Sequence, residues 1–214
     1  MLTILYLILA IVFAYLVWQA ARIYQAKNSS YTLLLLIVLI GLLYDVLVIL
    51  AGRFLGEGVL LERLNAGRYA IHALITPALI VFGFGVLRLA GVPWAQGRAA
   101  HTVVCLFATA LIILGLYSDV LAFVPASRTV MDTLRYVNVG GIKGPPVPAL
   151  LTIIFLIAAG FSLWRQTGWW LLAGSALLMF VAAALGMGRT FFIGNIGEVV
   201  LGLGCMLTAR KFLT

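Results

Sequence analysis

The chain has 214 residues, of which 64% are hydrophobic and only 9% are charged. A soluble domain carries about a quarter charged residues, so this composition and a mean hydropathy of +1.19 exclude a water-soluble globular protein. The net charge of +8 comes from bases at the ends of apolar runs, where Lys and Arg reach lipid headgroups, and not from a basic patch. The lipid bilayer is therefore the predicted partner, and nucleic acid is not.

Only helices and closed barrels satisfy their backbone hydrogen bonds inside hydrocarbon. The apolar runs are continuous and of helix length, about 20 residues, rather than alternating. The sequence therefore predicts an all-α integral membrane protein: a single domain over residues 1–214, folded as a seven-transmembrane-helix bundle. The predicted helices span residues 2–22, 31–51, 68–89, 101–123, 149–164, 169–185 and 192–209.

The first two runs contain one residue that does not suit a lipid environment. The second run, 31–51, carries Asp45 about two-thirds of the way along and stops before Arg53. A carboxylate at that depth is costly unless it is paired, neutralised or in contact with a wet cavity. Asp45 is thus the first candidate functional residue.

A loop over residues 54–67, which contains Glu57, is predicted before the third run, and its apolar residues suggest a short interfacial helix. Arg68 and His72 begin the third run four residues apart, so they share one helix face. Pro77, inside the same run, predicts a kink because proline lacks a backbone N–H.

The fourth run ends near Asp119, and the longest connection, 124–148, holds four of the six prolines. The fifth run is short for a full span. Trp169 and Trp170 open the sixth at a position typical of the interfacial aromatic belt. The seventh run carries Asn195 and Glu198 three residues apart, and Glu198 is the second deep carboxylate.

Threading these helices places every carboxylate on the side of the N-terminus, together with seven of the fourteen Lys and Arg residues. The other side has seven bases and no acid. Equal numbers of bases leave the positive-inside rule undecided. Because uncompensated positive charge suits anionic cytoplasmic lipid, we expect a multi-pass protein with its N-terminus extracytoplasmic and its C-terminus cytoplasmic.

The polar residues on the acid-bearing side predict one pocket open to that side. The candidate catalytic residues are Asp45, Glu198 and His72. The candidate substrate-binding residues are Arg53, Glu57, Arg68 and Asn195. The alternative interpretation is that the same residues form charge pairs that hold the second, third and seventh helices together and dock the loop.

No cofactor or metal site is predicted. His72 and His101 fall on opposite sides of the membrane, and no Cys/His cluster has the spacing of a metal site. A divalent ion held by carboxylates stays open. No lysine lies deep in a helix, which disfavours a retinal Schiff base.

Three functions fit this pattern. The first is an acid–base enzyme of isomerase or cyclase type that acts on a lipid or isoprenoid substrate. One of the two deep carboxyl groups would be the acid, and the other carboxyl or His72 would be the base. Arg53 and Arg68 would bind a polar or phosphate head group. In architecture alone this resembles the membrane-bound terpene cyclases, whose sequence motifs the chain lacks. The second is small-molecule or lipid binding or transport, which the nearly apolar cytoplasmic half disfavours. The third is a non-catalytic subunit of a larger membrane complex. Whether the partner is a second copy of the chain, in a homo-oligomer, or another membrane protein stays open.

Overall fold

A computed structural model describes residues 1–141, 146–186 and 190–213. Its elements are α1 (Leu2–Lys27), α2 (Ser30–Leu55), α3 (Val59–Ile75), α4 (Ala78–Leu89), α5 (Arg98–Leu116), β1 (Pro125–Val130), β2 (Thr133–Asn138), α6 (Val147–Thr167), α7 (Leu171–Leu185) and α8 (Phe192–Phe212). A single π-helical turn, Tyr117–Leu121, continues α5.

The described residues contain six helical segments that are long and apolar enough to cross a membrane. They are α1, α2, the combined α3–α4 segment, α5 with its π-helical turn, α6 and α8. Helix α7 is also apolar but has 15 residues, fewer than the roughly 20 of a typical span. Many large apolar side chains on the outer faces of these helices are exposed, which suits contact with lipid.

The third predicted helix differs from the observed one at both its start and its middle. Helix α3 begins at Val59, so most of the predicted loop is helical. Charged residues interrupt the apolar run there, but a helix needs only one face that packs inward. Leu61 and Asn65 are fully buried and form that face. At Pro77 the helix breaks between α3 and α4, as the missing N–H predicts.

The long connection contains a β-hairpin that was not predicted. Strands β1 and β2 pair antiparallel, from Pro125 opposite Asn138 to Val130 opposite Thr133. The hairpin packs on the end of α2 at Gly52, where any side chain would overlap the carbonyl of Leu134. This close approach places β2 over the N-terminal side of the bundle.

The tip of the hairpin is tied to the start of α1. The carboxylate of Asp132 accepts hydrogen bonds from the Met1 amino group at 2.7 Å and the Leu2 N–H at 2.8 Å. Arg53 Nη1 adds an ion pair at 3.0 Å. The bond from the N-terminal amine, followed by that from the Thr3 hydroxyl, holds the pKa of Asp132 well below its usual range.

Candidate functional site

A buried ion pair joins α2 and α3 on the N-terminal side of the bundle. Arg68 Nε donates to Asp45 Oδ1 at 2.9 Å, and each side chain is only 9% exposed. Arg68 Nη1 also donates to Asn65 Oδ1 at 2.7 Å. The deep carboxylate predicted from the sequence is thus paired with the first residue of the predicted third helix.

Asn195 on α8 links this ion pair to the second deep carboxylate. Its Nδ2 donates to Glu198 Oε2 at 2.9 Å and to Asp45 Oδ2 at 3.3 Å. Its Oδ1 accepts from the Tyr6 hydroxyl of α1 at 2.7 Å. One amide side chain therefore fixes α1, α2 and α8 relative to one another and holds both acids.

His72 faces Glu198 across a short gap. His72 Nε2 lies 3.8 Å from Glu198 Oε1, beyond hydrogen-bond distance. The His72 side chain is 34% exposed and that of Glu198 is 14% exposed. A more accessible imidazole thus stands beside a more buried carboxyl.

The hairpin contributes a second arginine. The guanidinium carbon of Arg135 lies 3.5 Å from the centroid of the Phe191 ring, which precedes α8. The Arg135 Nε is buried and has no hydrogen-bond acceptor among the described residues. Burial, with a smaller contribution from the charge of Arg68, lowers the pKa of Arg135 to about 10, so the side chain stays charged at neutral pH.

Two cavities of different character meet at Glu198. The polar cavity has a volume of about 300 Å³ and the apolar one about 400 Å³. Both are lined by His72, Glu198, Pro146, Gly186 and Gly194. The polar cavity is further lined by Asp45, Arg68, Tyr69, Asp119, Arg135 and Asn195. The apolar cavity continues between the start of α6 and the end of α7, along Ala149, Leu150, Ile153, Met179, Phe180, Ala183 and Ala184.

The structure brings together five of the seven predicted site residues. The five that line the polar cavity are Asp45, Arg68, His72, Asn195 and Glu198. Arg53 does not join them, because it lies eight residues after Asp45, about 12 Å further along the helix, and pairs with Asp132. Glu57 is exposed in the connection between α2 and α3 and does not line the cavity.

Comparison of the chain with protein-family models and with curated proteins finds no match.

Sequence reasoning missed several residues that line or support the polar cavity. Asp119 is not among the predicted site residues, yet it lines the cavity. Tyr6 gave no signal, because a tyrosine in an apolar run is common in membrane helices. Arg135 lay in an unpredicted strand, and the β-branched and aromatic residues of that strand, Thr133, Tyr136 and Val137, are the sequence signal that favours β-structure.

No group of three or more His, Cys, Asp or Glu residues in the described part of the chain is arranged to hold a metal ion. Two carboxylates of the polar cavity, Asp45 and Glu198, are engaged by Arg68 and Asn195 respectively. What the arrangement offers is a buried acid, a nearby imidazole and two guanidinium groups around an open space.

Proposed function

We propose that this protein is a multi-pass membrane enzyme that catalyses proton transfer on a lipid or isoprenoid substrate. The observation that carries the proposal is the position of Glu198 and His72 at the junction of a polar and an apolar cavity. A substrate with an apolar body and a polar end would place its middle, where the two cavities meet, against these two groups.

Glu198 is the proposed general acid and His72 the proposed base. Glu198 is the more buried of the two, and the Asn195 amide orients one of its oxygens. Its other oxygen faces His72. A reaction that suits this pair is isomerisation or cyclisation, in which Glu198 protonates a carbon–carbon double bond and His72 removes a proton from another carbon. A proton returned from His72 to Glu198 resets the site, so no oxidant or reductant is needed.

Asp45 acts in this scheme as a positioning residue. Both of its oxygens are engaged, one by Arg68 and the other by Asn195. A carboxylate held in this way is poorly placed to donate a proton, but it fixes the amide that orients Glu198. This assigns Asp45 a different role from the catalytic one expected from the sequence.

The proposed topology has seven spans, with α7 as a short one, and an extracytoplasmic N-terminus. The apolar composition of α7 and its contact with α8 support its place in the bilayer. Gly197 and Gly204 of α8 lie against Met179 and Ser175 of α7, which allows the close helix contact common between membrane spans. The cavities then open towards the extracytoplasmic leaflet.

A deuterium-incorporation assay tests the proposal. Purified protein in nanodiscs is incubated in D₂O with a lipid extract of the host membrane, and products are analysed by mass spectrometry. Wild type should give lipids that carry carbon-bound deuterium. Glu198→Gln should lower the rate by about 10²–10⁴-fold, the usual contribution of a general acid. Glu57→Gln is the matched control, since the same change at an exposed acid should leave the rate unchanged.

A second variant tests the proposed base. His72→Gln should also abolish turnover, whereas both variants should keep the wild-type elution profile and thermal stability. Equal deuterium incorporation by wild type and Glu198→Gln, or turnover that tracks only the amount of folded protein, would contradict the enzyme proposal. In that case the acids are structural charge partners.

A further inference from the structure

Arg135 is a cation in the polar cavity that forms no ion pair with the described residues. We propose, on the basis of the proposed function, that this cavity binds the carboxylate head of an anionic amphiphile, with Arg135 as the head-group ligand. The tail of the amphiphile then occupies the adjoining apolar cavity.

The first support is the distribution of charge between the two arginines. Arg68 has its own carboxylate, Asp45, at 2.9 Å. Arg135 forms no ion pair within residues 1–141, 146–186 and 190–213, and its buried Nε has no acceptor. Arg135 is partly buried, and a charge that is partly removed from water without a partner is costly to the folded protein. An anionic ligand would supply both the missing charge and the missing acceptor.

The second support is the way Phe191 holds the guanidinium group. A distance of 3.5 Å from the ring centroid to the guanidinium carbon places the cation over the ring face. Stacking restrains the Arg135 side chain but does not use its N–H groups, which point along the guanidinium edges. These edges match the two oxygens of a carboxylate, the geometry in which arginine binds most specifically.

The acids of the cavity limit the charge of the ligand. Asp119 and Glu198 line the same cavity as Arg135, so a doubly charged head would meet more repulsion than a singly charged one. A carboxylate carries one charge and is therefore preferred over a phosphate monoester or diphosphate.

The apolar cavity explains why the ligand is an amphiphile and not a free anion. Its volume is about 400 Å³, and it shares five lining residues with the polar cavity. The remaining wall is aliphatic or aromatic, including Leu150, Ile153 and Phe180. A head bound at Arg135 thus has a continuous path for a hydrocarbon chain past Glu198.

Binding of radiolabelled oleate and oleyl alcohol to the protein in phosphatidylcholine nanodiscs tests the proposal. These probes share one tail and differ in the head, and empty nanodiscs give the background. At pH 8.5 wild type should bind oleate saturably and at least tenfold more tightly than oleyl alcohol. Arg135→Gln should lose that tenfold preference, and Arg135→Lys should keep part of it. Arg128→Gln is the matched control, because Arg128 is opposite Arg135 in the hairpin but exposed, and oleate affinity should not change.

Several outcomes would overturn the proposal. Equal binding of the two probes by wild type would do so without any variant, even if Arg135→Gln failed to fold. Equal loss of oleate binding in Arg128→Gln would indicate a general effect of positive charge. Displacement of oleate by millimolar acetate or inorganic phosphate would indicate a site for small anions. Glu198→Gln separates this proposal from the enzymatic one, since it should stop turnover while oleate still binds.

Discussion

Replacing Asp45 with leucine should destabilise the protein far more than breaking the exposed ion pair between Arg53 and Asp132. Asp45 and Arg68 are each 9% exposed and lie 2.9 Å apart. Removing one partner of such a pair leaves the other charge buried and uncompensated, at a typical cost of about 3–5 kcal/mol. With about 1.4 kcal/mol for each factor of ten, the ratio of folded to unfolded protein should fall by at least about 100-fold.

The same reasoning predicts a rescue. In Asp45→Leu/Arg68→Met no charge remains buried at this position, and well-packed apolar replacements of buried ion pairs are often neutral or stabilising. The double variant should therefore recover most of the stability that Asp45→Leu loses. Arg53→Gln is the comparison variant, because the Arg53 side chain is 52% exposed and exposed pairs contribute little.

Equilibrium unfolding in mixed dodecylmaltoside and dodecylsulfate micelles, followed by tryptophan fluorescence, measures these differences. A loss below about 1 kcal/mol in Asp45→Leu would place the pair among weak surface pairs and refute the reasoning. So would a double variant that is no more stable than Asp45→Leu, because the cost would then not come from the charge left on Arg68.

Three further predictions concern the contacts around the site. Gly52→Leu should displace the hairpin, since the new side chain overlaps the Leu134 carbonyl, and faster amide exchange in β2 than in wild type should report it. The pKa of Asp132 is depressed in the folded state, so its contribution to stability is present above its unfolded value of 3.8 and is lost as the pH falls below it. Unfolding measured at pH 5 and pH 3 should show that loss, and Asp132→Asn should reduce it. Tyr6→Phe leaves the Asn195 Oδ1 without its donor. It should lower the free energy of unfolding by about 1–3 kcal/mol and slow turnover. If stability and turnover are both unchanged, the Tyr6 hydrogen bond does not contribute to the site.

The convergence of Asp45 and Glu198 could be predicted from the sequence because helix direction sets depth. Once the runs are threaded through a bilayer, polar residues near the same end of each helix lie at one level. Arg68 and His72 followed from their spacing on one helix face. These predictions needed only the spacing of polar residues within each apolar run and the alternating direction of successive helices. Both can be read from the order of residues in the sequence.

Contacts made across the connections could not be predicted in the same way. Arg53 was assigned to the pocket as a polar residue of the acid-bearing side, but its partner, Asp132, is 79 residues later in the sequence. The hairpin forms where Gly52 admits a strand to the end of α2, and a sequence gives no direct sign of such a close approach. Arg135 was missed for that reason, since its position depends wholly on how the hairpin docks.

The two ends of the site come from parts of the chain with different physical demands. Arg135 is carried by a strand outside the apolar spans, whereas Glu198 and the apolar cavity belong to helices that must suit lipid. Residues of the strand can therefore be substituted without regard to the hydrophobicity that a helix needs to enter the membrane. In the proposed binding mode, substitutions in β1 and β2 would change selectivity for the polar end of the ligand while the membrane-spanning helices stay the same.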